Sequence, residues 1–218
     1  RAENGLPPLL INPAIGPSFL STNNIFNSSL GTPEVTEAVA AFVAGLDCPL
    51  VIDPVMVAKS GDRLLHADAI ASLRDVLIPK ATLITPNLPE AADLLGLAEA
   101  DDREAMQVQA SALLQLGSRA VLLKGGHLST EDSPDLLVFD HQSTWFDNER
   151  IQTANTHGTG CTLSSALASY LGQGFSIPDA VLAAKTYISG AIAASDQLNV
   201  GHGHGPVHHF WDLWRNND

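Results

Sequence analysis

Three short apolar runs, "PLVID" at 49–53, "ATLIT" at 81–85 and "AVLLK" at 120–124, are separated by stretches that read as helices. That alternation constrains the fold more than any other feature, because parallel strands need long crossovers and a sheet whose crossovers are helices is covered on both faces. The helical stretches carry their own punctuation. "TPEVTEAVAAFVAGL" has Thr32 at the N-cap position, Pro33 at the first helical position and acids in the first turn. "ADAIASLRDVLIP" reads as a second helix, "PEAADLLGL" as a third stopped near Gly96, and "DREAMQVQASALLQLG" as a fourth stopped at Gly117. After Lys124, "DLLVFD" and "STWFD" form a two-strand excursion, followed by a helix from Cys161 and a long helix "IPDAVLAAKTYISGAIAAS". The fold class is therefore α/β with a mainly parallel sheet. The first thirty residues hold four prolines and many Asn and Ser residues without a sustained period, and the pattern places none of them in the sheet.

With 218 residues, 45% of them hydrophobic, the chain supports one sizeable core and one domain. No run approaches eighteen apolar residues and no secretory signal pattern opens the sequence, so a cytoplasmic, non-membrane protein is expected. The formal charge of −13 opposes binding to nucleic acid or anionic lipid. Cys48 and Cys161 cannot build a disulfide framework and match no paired metal spacing.

In a parallel sheet, ligands bind beyond the carboxyl ends of the strands. Asp53, Glu90 and Lys124 all stand at or just past such ends, so two acids and a base are sent towards one cleft. "HGTGC" at 157–161 opens a helix: Gly158 and Gly160 let the backbone bend so that N–H groups converge on an anion, with the helix dipole assisting. An ordinary turn capped by Thr159 is the competing reading, and no GxxxxGK[ST] loop occurs. Cys161, in the first helical turn, is either a base or nucleophile favoured by the positive helix end or a small buried hydrophobe.

The remaining candidates also have structural readings. Glu90 falls three residues after Asn87, the spacing of a capping box. Asp53 ends a buried apolar strand, a costly place for an acid unless a partner is present. Lys124 is either solvated at its strand end or in the cleft. Lys185 either snorkels beside the face of Val181, Ala184 and Ile188 or meets an anion. The tail "GHGHGPVHH", with His202, His204, His208 and His209, lacks a nearby acid or thiol ligand and makes a poor zinc cage.

Taken together, "VIDPVMVAKSGDRLL", "LITPNLPEAADLL", "LLKGGH", "HGTGCTLSSALASYL" and "VGHGHGPVHHF" closely resemble the hydroxymethylpyrimidine/phosphomethylpyrimidine kinases of thiamine biosynthesis, members of the ribokinase-like superfamily. The resemblance runs from about Gly31 to the C-terminus, so it divides the chain into an unmatched segment, 1–30, and a kinase domain, 31–218. It implies a three-layer α/β/α sandwich that uses ATP and Mg²⁺ to phosphorylate 4-amino-5-hydroxymethyl-2-methylpyrimidine and then its monophosphate. It further implies an anion hole from Gly158, Thr159, Gly160 and Cys161, with Cys161 as base. Asp53 and Glu90 would lie near the metal, Lys124 and Lys185 near phosphates or nucleotide, and Val200, His202 and Gly203 near adenine. Family kinases are often dimers, although the sequence itself shows no interface.

Such kinases usually begin with a strand, a glycine-rich "AGSDPSGGAG"-like segment and a substrate flap, none of which residues 1–30 match. The expectation is an incomplete N-terminal part, an unpaired strand edge where the inner strand is missing, and a weakened pyrimidine pocket. Two further readings therefore stand beside the kinase: a nucleotide-binding fragment without activity, and a kinase acting on pyridoxal or pyridoxine.

Overall fold

Within a computed structural model, residues 9–11, 25–26, 32–56, 65–128, 132–198, 200 and 203–214 are described. Seven strands form one sheet: β1 (Leu9–Ile11), β2 (Ile25–Phe26), β3 (Leu50–Ile52), β4 (Leu83–Ile84), β5 (Ala120–Lys124), β6 (Asp135–Phe139) and β7 (Gln142–Phe146), in the order β2-β1-β3-β4-β5-β6-β7. β2 to β5 run parallel, and β6 and β7 are antiparallel additions. The helices are α1 (Pro33–Val43), α2 (Ala67–Ser72), α3 (Leu88–Leu95), α4 (Arg103–Leu114), α5 (Thr159–Gly172), α6 (Ile177–Ala193) and the short α7 (Trp211–Trp214). α2 continues through a π turn at Leu73–Leu77 and a 3-10 turn at Ile78–Lys80, where Pro79 cannot donate to the ladder.

Strand residues alternate between two cores. Ile52, Ile84, Val121 and Leu123 pack with α1 to α4, whereas Val51, Leu83, Leu122 and Leu137 pack with α5 and α6. A period of two on continuously apolar strands thus gives helices to both faces, the three-layer sandwich expected. Gly96 ends α3 in the left-handed region (φ 66°), as its place after the last apolar residue predicts. The β6–β7 turn is made by Asp140 and His141, both at positive φ (51° and 59°), the geometry a tight two-residue hairpin needs.

The N-terminal expectation needs correction. Leu9–Ile11 pairs in parallel with Leu50–Ile52, and Ile25–Phe26 pairs with β1, so the edge of β3 is covered rather than open. The pairing needs only three residues of extended backbone, a signal too short to stand out among prolines.

Candidate functional site

β3 and β5 deliver Asp53 and Lys124 to the same sheet edge. Lys124 Nζ donates to Asp53 Oδ1 at 3.0 Å, Thr85 Oγ1 donates to the same oxygen at 3.1 Å, and Ser164 Oγ reaches Oδ2 at 3.4 Å. Asp53 is 1% exposed, so the partner its position demanded is Lys124. Burial works against the Lys124 charge, but the carboxylates of Asp53 and Glu90 and the bond to Asp53 outweigh it, leaving the ammonium more firmly protonated than usual.

Glu90 has the capping role that its spacing suggested. Its carboxylate accepts from Asn87 N at 2.7 Å, and Asn87 Oδ1 accepts from Glu90 N at 2.9 Å. It is also buried, and burial raises its pKa to about 7, with Lys124 opposing and Asp53 adding to the shift. The capping group is therefore electrically part of the Asp53–Lys124 cluster. Lys124 N donates to Pro86 O at 2.9 Å, which ties the start of α3 to the end of β5.

The mouth of α5 closes against this pair. Gly158 is the N-cap residue, at φ 80°, and the first α-helical bond runs from Thr162 N to Gly158 O. The N–H groups of residues 159–161 thus precede the helical ladder, with that of Thr159 turned back to Thr156 O at 3.4 Å. A Cβ added at Gly160 would stand 3.4 Å from Lys124 Nζ and 3.8 Å from Asp53 Oδ2. The first turn of α5 thus lies within van der Waals reach of both the ammonium and the carboxylate.

Two cavities flank this mouth. One, of about 410 Å³, is lined by Thr159 and Gly160 together with Lys124, Asn87, Asp135 and Lys185, and farther along by Ile151, Leu163, Ile188 and Ile192. The other, of about 710 Å³, lies along α5 and is lined by Gly158, Cys161, Thr162, Tyr170, Tyr187 and His209. The first combines convergent cations and helix-mouth donors with an apolar slot, the makeup of a site for an anion carrying a flat hydrophobic group.

The other candidates fall as follows. Lys185 does not snorkel: it is 8% exposed and donates to Asp135 Oδ2 at 2.5 Å. Val200 and Gly203 do not line the 410 Å³ cavity, and His202 lies outside the described residues. The described tail histidines diverge, His204 towards Ala154 O, His209 towards Thr162 Oγ1 and His208 into the interior. Sequence reasoning missed Asp135, which faces Lys124 in the β5–β6 register. Its signal was present: an antiparallel strand begins at the edge where its parallel neighbour ends.

This sheet order, with helices packed on both faces and the mouth of α5 at the sheet edge, defines a ribokinase-like α/β fold. The phosphomethylpyrimidine kinase family profile matches residues 29–208, and the chain belongs to that family. It is 48% identical over 186 residues to the hydroxymethylpyrimidine/phosphomethylpyrimidine kinase of Escherichia coli, covering 85% of this chain and 70% of the relative. The enzyme of the same name from Rhizobium meliloti is 46% identical over 189 residues, covering 85% and 71%. Among solved structures, pyridoxal kinase from Staphylococcus aureus in complex with AMP-PCP and pyridoxal superposes with a TM-score of 0.75 at 31% identity, over 83% of this chain and 64% of that one. No helix among the described residues is long and apolar enough to cross a membrane.

Proposed function

We propose that the chain transfers the γ-phosphoryl group of ATP to 4-amino-5-hydroxymethyl-2-methylpyrimidine and then to its monophosphate, in thiamine biosynthesis and in the cytoplasm. The observation that carries this is the convergence of Lys124, Gly160 and Asp53 at the mouth of α5, beside a cavity with an apolar slot, in a chain of this family.

In this reading the triphosphate lies along Lys124, Lys185 and the N–H groups of 160 and 161, and the base occupies the slot between Leu163, Ile188 and Ile192. As the γ-phosphoryl group moves, charge gathers on its peripheral oxygens, where fixed N–H dipoles and the Lys124 ammonium stabilise it with little reorganisation. The alcohol oxygen forms the new P–O bond, the bond to the β-phosphate oxygen breaks, and ADP leaves. Cys161 takes the alcohol proton in the first step. In the second step the acceptor is already an anion and needs no such base.

Both lysines are engaged by buried acids, so they only partly offset the charge of a triphosphate. A Mg²⁺ bound with the nucleotide would supply the balance. The hard oxygens of Asp53 and Glu90 are the groups that would face such a cation, although Lys124 and the α3 cap already engage one oxygen of each.

A second reading, a pyridoxal kinase, is supported by the Staphylococcus aureus structure. Steady-state turnover of ATP with the hydroxymethylpyrimidine, its monophosphate and pyridoxal, each offered separately, separates the two. Pyrimidine turnover is expected. Turnover with pyridoxal alone would replace the proposal, and ATP binding without turnover of any acceptor would reduce it to a nucleotide-binding module.

A further inference from the structure

Asp135 begins β6, opposite Lys124, and is 4% exposed. A buried carboxylate here is expensive unless both oxygens are satisfied, and both are. Oδ1 accepts from Gly125 N at 3.0 Å and Oδ2 from Lys185 Nζ at 2.5 Å. One side chain therefore joins the turn after β5 to the middle of α6, and Asp135, Lys185, Lys124 and Gly126 all line the 410 Å³ cavity. The turn admits no larger residue at its first position, since a Cβ at Gly125 would fall 2.0 Å from Pro134 O.

Lysine has four rotatable carbons, and its ammonium goes wherever its partners fix it. The apolar neighbours of Lys185 on α6, Val181, Ala184 and Ile188, offer it no hydrogen bond, and besides Asp135 the neutral amide oxygen of Asn148, turned towards it, accepts from its ammonium at 2.5 Å. From this geometry we propose that Asp135 is a positioning residue for phosphate binding: it holds the Lys185 ammonium and the Gly125 turn at the cavity wall beside Lys124. The inference rests on the reading of this cavity as the nucleotide site and extends it to a residue outside the helix mouth.

The test is calorimetric titration of ATP and of adenosine into the full chain and into Asp135→Asn, Lys185→Met and the double variant. Asparagine keeps an oxygen for Gly125 N–H but removes the charge that holds Lys185. The expected result is a roughly ten- to hundredfold loss of ATP affinity in each single variant, the range for a hydrogen bond to a charged group. Adenosine affinity stays within about twofold, because the phosphate end alone is disturbed. Asparagine at 135 costs nothing further once Lys185 is methionine. If Asp135→Asn does not fold, the double variant, which removes both charges of the buried pair together, is compared with Lys185→Met, and a further loss of ATP affinity there overturns the inference.

Asp135→Asn with wild-type ATP affinity would overturn the inference, as would a parallel loss of adenosine binding or a further loss in the Lys185→Met background. A wild-type chain that binds adenosine and ATP equally would remove the phosphate-site reading itself, a failure distinguishable from that of Asp135 alone.

Discussion

A Cβ placed on Gly160 of α5 would lie 3.4 Å from the ammonium of Lys124 at the end of β5, so two residues 36 positions apart in sequence meet at the proposed anion site. The contact is an ordinary van der Waals distance, so the fold tolerates a methyl group there, whereas an anion held as proposed would be crowded by it. Gly160→Ala is expected to leave stability within about 1 kcal/mol, since alanine suits a helix, and to lower kcat/KM for ATP about tenfold or more. Thermal melts alongside turnover would check it; a variant that is equally unstable and inactive would contradict the assignment.

Lys124 is also structural. Lys124→Met leaves Asp53 charged, buried and without its ion pair, for which about 3–5 kcal/mol of destabilisation is expected. Adding Asp53→Asn should recover part of that loss in urea titrations, while activity stays absent. No recovery would mean that the ion pair is not what Lys124 contributes to stability.

Glu90 gives a pH dependence with a definite sign. Its folded pKa is about 7 against 4.5 for a glutamate in the unfolded chain, so the folded state holds a proton that the unfolded chain releases between those values. Stability from this group is full below pH 4.5 and falls as pH rises through 7, by on the order of 3 kcal/mol. Glu90→Gln keeps an acceptor for Asn87 N–H without the charge, so its urea midpoint should fall less between pH 5 and pH 8. Parallel midpoints in both proteins would exclude the effect.

The proton-transfer role proposed for Cys161 would separate the two reactions. Cys161→Ala should slow phosphorylation of the alcohol more than that of the monophosphate, which needs no base. Equal losses, measured as kcat on each acceptor, would leave Cys161 a packing residue.

Gly158 has a backbone reason for its identity. At φ 80° a side chain is strained, so Gly158→Ala should cost about 1–2 kcal/mol and misalign the N–H groups of the first turn. Asparagine, which tolerates this region better, should cost less. An alanine variant with an unchanged melt would refute the strain.

Much of this was legible locally. Helix starts and stops depend on neighbouring residues, so Asn87 with Glu90, and Gly96, could be read directly. The convergence of Asp53 and Lys124 followed from a rule about strand ends. Asp135 escaped because that rule was applied to parallel strands alone, and Leu9–Ile11 escaped because three residues carry no period.

By itself the sequence determined the order of strands and helices from Pro33 onward, the α3 cap and the helix mouth, because these depend on interactions a few residues long. Only the tertiary structure decided which buried charges pair. Lys124 with Asp53 and Lys185 with Asp135 are 71 and 50 residues apart, and each pairing is selected by the cost of leaving either charge alone in the interior.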